Sequence, residues 1–226
     1  MIHYLVAIYY RIIILINDLF NTSIYKKIKN EYQAIQLGKK HNYVSGSNVY
    51  FGKCLNEKVI IKGFDIFNLY KNEINILNIL NQSNFVPGIL KVSKKYFIEE
   101  YVDGQTFDEY LKENMVNDKI LKQIIEYLDY LYSYKIVHRD IRPENIIINR
   151  ENIKVIDYGC AIKVDNNSFK FPLRVEKTLG EKYKNHEYWD DASSFYNILK
   201  PYVKDDNEFL LEIKKREKRL IYERKS

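Results

Sequence analysis

Prolines and glycines are scarce, four and eight in 226 residues, so neither a collagen-like repeat nor a proline- or glycine-rich linker organises this chain. No segment recurs at a fixed period, which excludes solenoids and propellers. Only two cysteines occur, Cys54 and Cys160, far apart and in no metal-type spacing. That excludes a disulfide framework or zinc ribbon, and two buried thiols in a reducing compartment are expected. Long apolar runs are missing too. The most apolar stretch, "MIHYLVAIYYRIIILINDLF", is broken by Arg11 and closed by Asn17 and Asp18, short of the ~20 apolar residues of a membrane span. It has no basic start or small-residue cleavage site, so it is not read as a signal peptide. An element packed on the domain is expected, with interfacial membrane association as the alternative.

What remains is a chain that can bury a large core. It is 46% hydrophobic and 15% aromatic, with the length of one large domain or two small lobes. The net charge of +6 and pI near 9.0 favour an anionic partner. Much of the excess lies in the C-terminal "EIKKREKRLIYERKS". A solvated helical face is the plain expectation there; contact with RNA or an anionic membrane is the alternative.

Hydrophobic period divides the chain. From His41 to Phe64, apolar and polar residues alternate around breaks at 45–48 and 55–57, which predicts three short antiparallel strands. Ile66, Tyr70, Ile74, Leu77 and Leu80 then follow helical spacing. "GILKVSKKYFIEEYVDG" holds two further strands around Ser93, and Asp103-Gly104 marks a break. Thr106, three residues before Glu109, has capping-box spacing. A long amphipathic helix from Asp118 places Leu121, Ile124, Ile125, Leu128 and Leu131 on one face.

After that helix comes "VHRDIRPENIIINRENIKVIDYG", Val137 to Gly159. "NIII" and "IKVID" read as a hairpin turning at 149–152. The hairpin brings Asn145 and Asp157 to the same open end of the ladder. Hard cations such as Mg²⁺ take oxygen ligands from one or two protein groups together with substrate phosphates. Asp140 lies just upstream, placed to orient a hydroxyl nucleophile.

"HRDIRPEN" followed by "DYG" closely resembles the catalytic and metal-binding loops of the protein-kinase-like superfamily, H-R-D-x-x-x-x-N and D-F-G. The resemblance implies that Asp140 accepts the proton of the attacking hydroxyl and that Asn145 and Asp157 hold Mg²⁺. Arg142 stands where serine/threonine kinases carry a lysine, which keeps the charge near the moving phosphoryl group. "VIIK" resembles the family's V-A-I-K strand and implies that Lys62 pairs with the α- and β-phosphates of ATP, with Glu73 as its ion-pair partner. "YFIEEYVDG" is similar to the hinge strand, implying adenine contacts near Glu100 and Val102. Glu99 then occupies the gatekeeper position, where an acid is less usual. In place of a glycine-rich loop there is only Ser45-Gly46-Ser47, whose amides and hydroxyls could cradle phosphate.

Downstream, "DDASSFYNIL" resembles the family's D-x-W-S helix, with Ser193 in place of tryptophan, and implies that Asp191 caps the backbone of His138 and Arg139. "LGEKYKNHE" faintly resembles G-T-x-x-Y-x-A-P-E and lies close to Asp191, so the platform for a substrate peptide looks trimmed. Arg139 is the residue that often senses a phosphate on the activation segment, for which Ser168, Thr178 and Tyr183 are candidates.

The implied fold is α+β and bilobal: an antiparallel β-sheet N-lobe with one helix, and a shortened, mainly helical C-lobe. The expected division is an N-terminal extension over 1–40, an N-lobe over 41–102 and a minimal C-lobe with a basic tail over 103–226. The trimmed lobe is similar to atypical kinases: the RIO group, the compact kinase of a tRNA-modifying complex, and kinases of lipopolysaccharide-core sugars. The implied activity is ATP- and Mg²⁺-dependent phosphoryl transfer to a hydroxyl, with protein serine or threonine favoured. A sugar or other small-molecule acceptor is one alternative and a pseudokinase scaffold another. A cytoplasmic location, peripheral to a membrane if the N-terminus binds one, completes the expectation.

Overall fold

Two tight hairpins show how local sequence becomes tertiary structure. In the computed structural model the described residues are 28, 30–33, 35–36, 49–63, 69–94, 96–165 and 188–223. The expected strand over 41–44, the phosphate-loop residues Ser45, Gly46 and Ser47, the apolar N-terminus, "LGEKYKNHE", Ser168, Thr178 and Tyr183 lie outside them.

Strands β2 (Val49–Cys54) and β3 (Glu57–Gly63) pair antiparallel with Cys54 opposite Glu57. Leu55 and Asn56 form the two-residue turn at positive φ, 49° and 71°, the geometry that matches strand twist. In β8 (Ile146–Asn149) and β9 (Asn152–Val155), Asn149 is opposite Asn152. Arg150 and Glu151 turn at φ 54° and 96°. Neither turn contains glycine. The second is braced instead: Glu151 accepts from Asn117 and Lys119 side chains, and its carbonyl accepts from Gln123 Nε2.

The chain forms two units. One ends at Ile66 and resumes at Leu90–Glu100; the other comprises Phe67–Ile89 and Tyr101–Ser226. In the first, five strands run in the order β1-β2-β3-β5-β4. Here β1 is Ile35–Gln36, β4 is Ile89–Val92 and β5 is Tyr96–Glu100. Alternation buries Val59 and Ile61 of β3 and Ile98 of β5 with Ile28, Tyr32, Tyr50 and Tyr96, and each such side chain contributes roughly 1.5–3 kcal/mol. The pairing of β1 with β2 carries the sheet into a segment expected as an N-terminal extension.

The second unit is built from helices on small sheets. Helix α1 (Leu69–Ile79) groups here by its contacts, although the pattern placed it with the first lobe. Asp103-Gly104 is the expected break: Gly104 has φ +142°, and a Cβ there would lie 2.4 Å from Ile148 O. Helix α2 (Phe107–Glu113) follows short strand β6 (Gln105–Thr106) and starts at the expected capping box, Thr106 accepting from Glu109 N. Helix α3 (Asp118–Tyr134) is capped by Asn117, and it fully buries Leu121, Ile124, Leu128 and Leu131 of the expected face. Ile125 is only half-buried, and Ile120 and Tyr127 complete the stripe.

Beyond the active-site loops come β10 (Ile162–Lys163), β11 (Tyr188–Trp189), α4 (Asp191–Leu199), α5 (Glu208–Lys214) and β12 (Tyr222–Glu223). The basic run is therefore not a plain solvated face. Arg216 makes a two-pronged ion pair with Asp129 at 2.7 and 3.0 Å, and Arg219 joins the same carboxylate at 3.1 Å. Of the two thiols expected to be buried, Cys160 is; Cys54 packs against the sheet's core but is half-exposed, because it ends β2 at the turn. Among the described residues no helix is long and apolar enough to cross a membrane.

Candidate active site

The loop after β7 (Ile136–Val137) bends through residues that pack poorly in regular structure. Arg139 sits at φ 69°, a left-handed conformation that costs about 1–3 kcal/mol in a non-glycine residue. It is held from below. Asp191 Oδ2 accepts the His138 amide at 2.6 Å and Oδ1 accepts the Arg139 amide at 3.0 Å, as the "DDASS" resemblance implies. Asp191 is buried, and burial pushes its carboxyl up to about 7 against the lowering pull of those two amides. The Asp140 amide donates to His138 Nδ1 at 3.3 Å. His138 Nδ1 is therefore an acceptor, so Nε2 carries the proton and donates to Ile156 O at 3.2 Å.

Asp140 and Asn145 are joined directly. Asn145 Nδ2 donates to both Asp140 O and Asp140 Oδ2, at 3.0 and 3.1 Å, across a short 3₁₀ turn, Pro143–Asn145. With its NH₂ committed there, the amide presents Oδ1 as its remaining ligand. Arg142 Nε lies 3.6 Å from Asp140 Oδ2. Across the hairpin, the Ile156 amide donates to Asn145 O at 2.9 Å, and the next residue, Asp157, is left-handed at φ 68° and ψ 65°. The Cys160 thiol is pushed well up by burial and then by the negative charges of Asp157 and Asp140.

An amide oxygen and a carboxylate form a hard-oxygen donor set that fits Mg²⁺ and lacks the nitrogen or sulfur groups that soft metals take. Among the described residues no cluster of three or more His, Cys, Asp or Glu makes an all-protein metal cage.

Helix α1 fastens the metal loop from another side. Glu73 Oε1 accepts the Tyr158 amide at 3.1 Å, and Asn72 Nδ2 donates to Gly159 O at 3.0 Å and Ala161 O at 2.7 Å. Tyr158 stacks edge-on against His138 at 4.6 Å and meets Tyr127 hydroxyl to hydroxyl at 3.0 Å. Burial raises both phenol pKa values well above their ordinary range. Asn72 and Tyr127 escaped the reading of the sequence. Each looks like one more position on an amphipathic helix, and only its partner reveals its role.

In the first unit Lys62 extends from β3 beside β5, where Lys62 is opposite Phe97. Its Nζ lies 2.9 Å from Glu99 Oε1, in an ion pair whose side chains are 12% and 4% exposed. The acid at the expected gatekeeper position thus pairs with Lys62 within its own sheet. Glu100 ends β5 half-buried, and Val102, in the second unit, is also half-buried.

Residues 36–185 match the family described as protein kinase domain. Similar curated proteins include MAP kinase kinase kinase SSK2 of Saccharomyces cerevisiae, 34% identical over 127 residues, which are 51% of this chain and 8% of that protein. CBL-interacting serine/threonine-protein kinase 10 of Arabidopsis thaliana is 31% identical over 137 residues, 53% of this chain and 29% of that protein. The carbon catabolite-derepressing protein kinase of Candida glabrata is 29% identical over 127 residues, 52% of this chain and 21% of that protein. The matched segments span less than a third of each relative.

Proposed function

Because the chain belongs to the protein kinase family, we propose that it transfers the γ-phosphoryl group of ATP to a serine or threonine hydroxyl of a protein. The observation that carries this reading is the bonded pair Asp140–Asn145, with Arg142 beside it, on a loop fastened by Asp191. Asp140 orients the acceptor hydroxyl and takes its proton as the new oxygen–phosphorus bond forms and the bond to ADP breaks. Arg142 offsets charge on the moving group. Lys62, once released from Glu99, positions the α- and β-phosphates; Ser45, Gly46 and Ser47 cover them, and Glu100 and Val102 bind adenine. Asn145 and Asp157 hold Mg²⁺, which when bound neutralises phosphate charge. Catalysis is then mainly positioning and electrostatics.

The serine/threonine choice is supported by the name of the Arabidopsis relative. A cytoplasmic location is supported by the two free thiols. The ion pairs of Arg216 and Arg219 with Asp129 speak against a tail devoted to RNA or anionic lipid. One observation favours a second reading, a nucleotide-binding scaffold: Lys62 is engaged by Glu99.

The test is labelled phosphate transfer from ATP with Mg²⁺ to a generic protein, to sugars and to the protein itself. Protein labelling is expected. Asp140→Asn should lower transfer by about 10²–10⁴-fold while nucleotide-dependent thermal stabilisation persists. Stabilisation by ATP without transfer to any acceptor would leave the scaffold reading.

A further inference from the structure

The basic C-terminal run is fastened at several points to the unit that holds the catalytic loop. Arg216 donates to both Asp129 oxygens on α3, at 2.7 and 3.0 Å, and its carbonyl accepts from the Tyr132 hydroxyl at 3.3 Å. Two residues on, the Lys218 amide donates to Asp190 Oδ2 at 2.7 Å. Lys218 is left-handed there, at φ 63°, a conformation that a non-glycine residue keeps only where its surroundings impose it. The run then forms β12, paired antiparallel with β11.

Asp190 is where this run meets the support of the active site. It is buried, and its two carboxylate oxygens serve different elements: Oδ1 caps α4 by accepting from Ser193 N at 3.1 Å, while Oδ2 takes the Lys218 amide. Its carbonyl accepts the Ser194 amide and hydroxyl, at 3.1 and 2.9 Å. Burial pushes the Asp190 carboxyl up, and the amides of Lys218, Ser193 and Ala192 draw it back down, because each of them favours the charged form. The next residue, Asp191, carries the catalytic loop by the amides of His138 and Arg139.

We propose that Asp190 is a positioning residue for phosphoryl transfer: by clasping the Lys218 amide it uses the C-terminal run to hold Asp191, and through it the loop of Asp140, in register. The inference rests on the kinase reading. Asp191 meets two amides at once, at 2.6 and 3.0 Å, so a small shift at the start of α4 weakens both bonds together. The grip of Arg216 on Asp129 fixes one end of the clasp, and Asp190 Oδ2 passes that anchorage to the backbone of 190 and 191. The basic run thereby serves the active site without touching substrate.

The experiment compares substitutions at the two ends of the clasp. Asp190→Ser keeps an oxygen that caps α4 on a side chain too short to serve Lys218 as well. Arg216→Met keeps the apolar stem and gives up the pair with Asp129. Steady-state phosphate transfer to a generic protein, thermal unfolding and hydrogen exchange at the His138 and Arg139 amides are measured for each and for the double variant. Asp190→Ser should lower kcat about tenfold with KM for ATP nearly unchanged, at temperatures where it stays folded. Exchange at those two amides should speed up while the β8–β9 hairpin stays protected. Arg216→Met should move both readouts the same way. The double variant should lose little beyond the larger single loss, because both contacts hold one segment. Unchanged kcat and exchange in Asp190→Ser would overturn the proposal. So would losses that multiply in the double variant, or a kcat loss that merely follows the folded fraction. If the wild-type protein transfers no phosphate, the kinase reading fails, while the exchange comparison still decides whether the clasp holds the loop.

Discussion

The catalytic loop and the lysine strand solve the same problem, a buried polar group, in opposite ways. Around the Asp140 carboxylate the near partner is a neutral donor, the Asn145 amide at 3.1 Å, with the Arg142 side chain further off at 3.6 Å. That holds the carboxylate in place without a tight ion pair. Around Lys62 the partner is a full opposite charge, Glu99, on the neighbouring strand. On the proposed function the loop is preorganised for its ligand, whereas the strand carries a counter-ion that phosphates would have to displace.

Removing the loop's support should have the largest effect. Asp191→Ala strands two buried amide donors, each worth about 1–3 kcal/mol, so urea unfolding should show a loss of about 2–6 kcal/mol. A smaller loss would mean that water replaces the carboxylate. Asn72→Leu keeps the bulk but takes the donor away from Gly159 O and Ala161 O. A destabilisation of roughly 1–3 kcal/mol is expected, with faster hydrogen exchange over 158–161 and none over α3.

On the strand side the sign reverses. Glu99→Gln removes the competing charge, and calorimetry should show ATP binding tighter by up to about tenfold, or ~1.4 kcal/mol. Weaker binding would mean that Glu99 orients Lys62 rather than restrains it.

The remaining effect is a slope. Burial raises the Asp191 carboxyl from its ordinary 3.8 to about 7, so the folded protein holds that proton more tightly than the unfolded chain. The stability it contributes is complete below about pH 4 and is lost as pH rises through about 7. Relative to Asp191→Asn, wild-type unfolding free energy should therefore fall over that interval. Transfer activity should rise over it, because the ionised carboxylate is the form that accepts both amides. A flat difference between the two proteins would remove Asp191 as the titrating group.

Features with short-range causes were legible. The capping box of Thr106 and Glu109 is closed within three residues, and the β8–β9 hairpin follows from two β-rich runs around a polar turn. The spacing of Asp140 and Asn145 makes their contact a matter of one 3₁₀ turn. Glu99 stood out as an unusual acid, but its hold on Lys62 depends on the β3–β5 register. The strand at 35–36 was missed because two residues carry no period; only pairing with β2 makes them a strand.

The amino-acid sequence by itself determined where chain reversals, helix starts and catalytic side chains fall, because neighbouring residues interact whatever the rest of the chain does. Only the tertiary structure decided which buried charge meets which partner: Lys62 with Glu99, Asn72 with the metal loop, Arg139 with Trp189 and Tyr222. Desolvation makes an uncompensated polar group costly, yet any of several distant residues could satisfy it. Choosing among them takes strand register and helix packing, which no local spacing encodes.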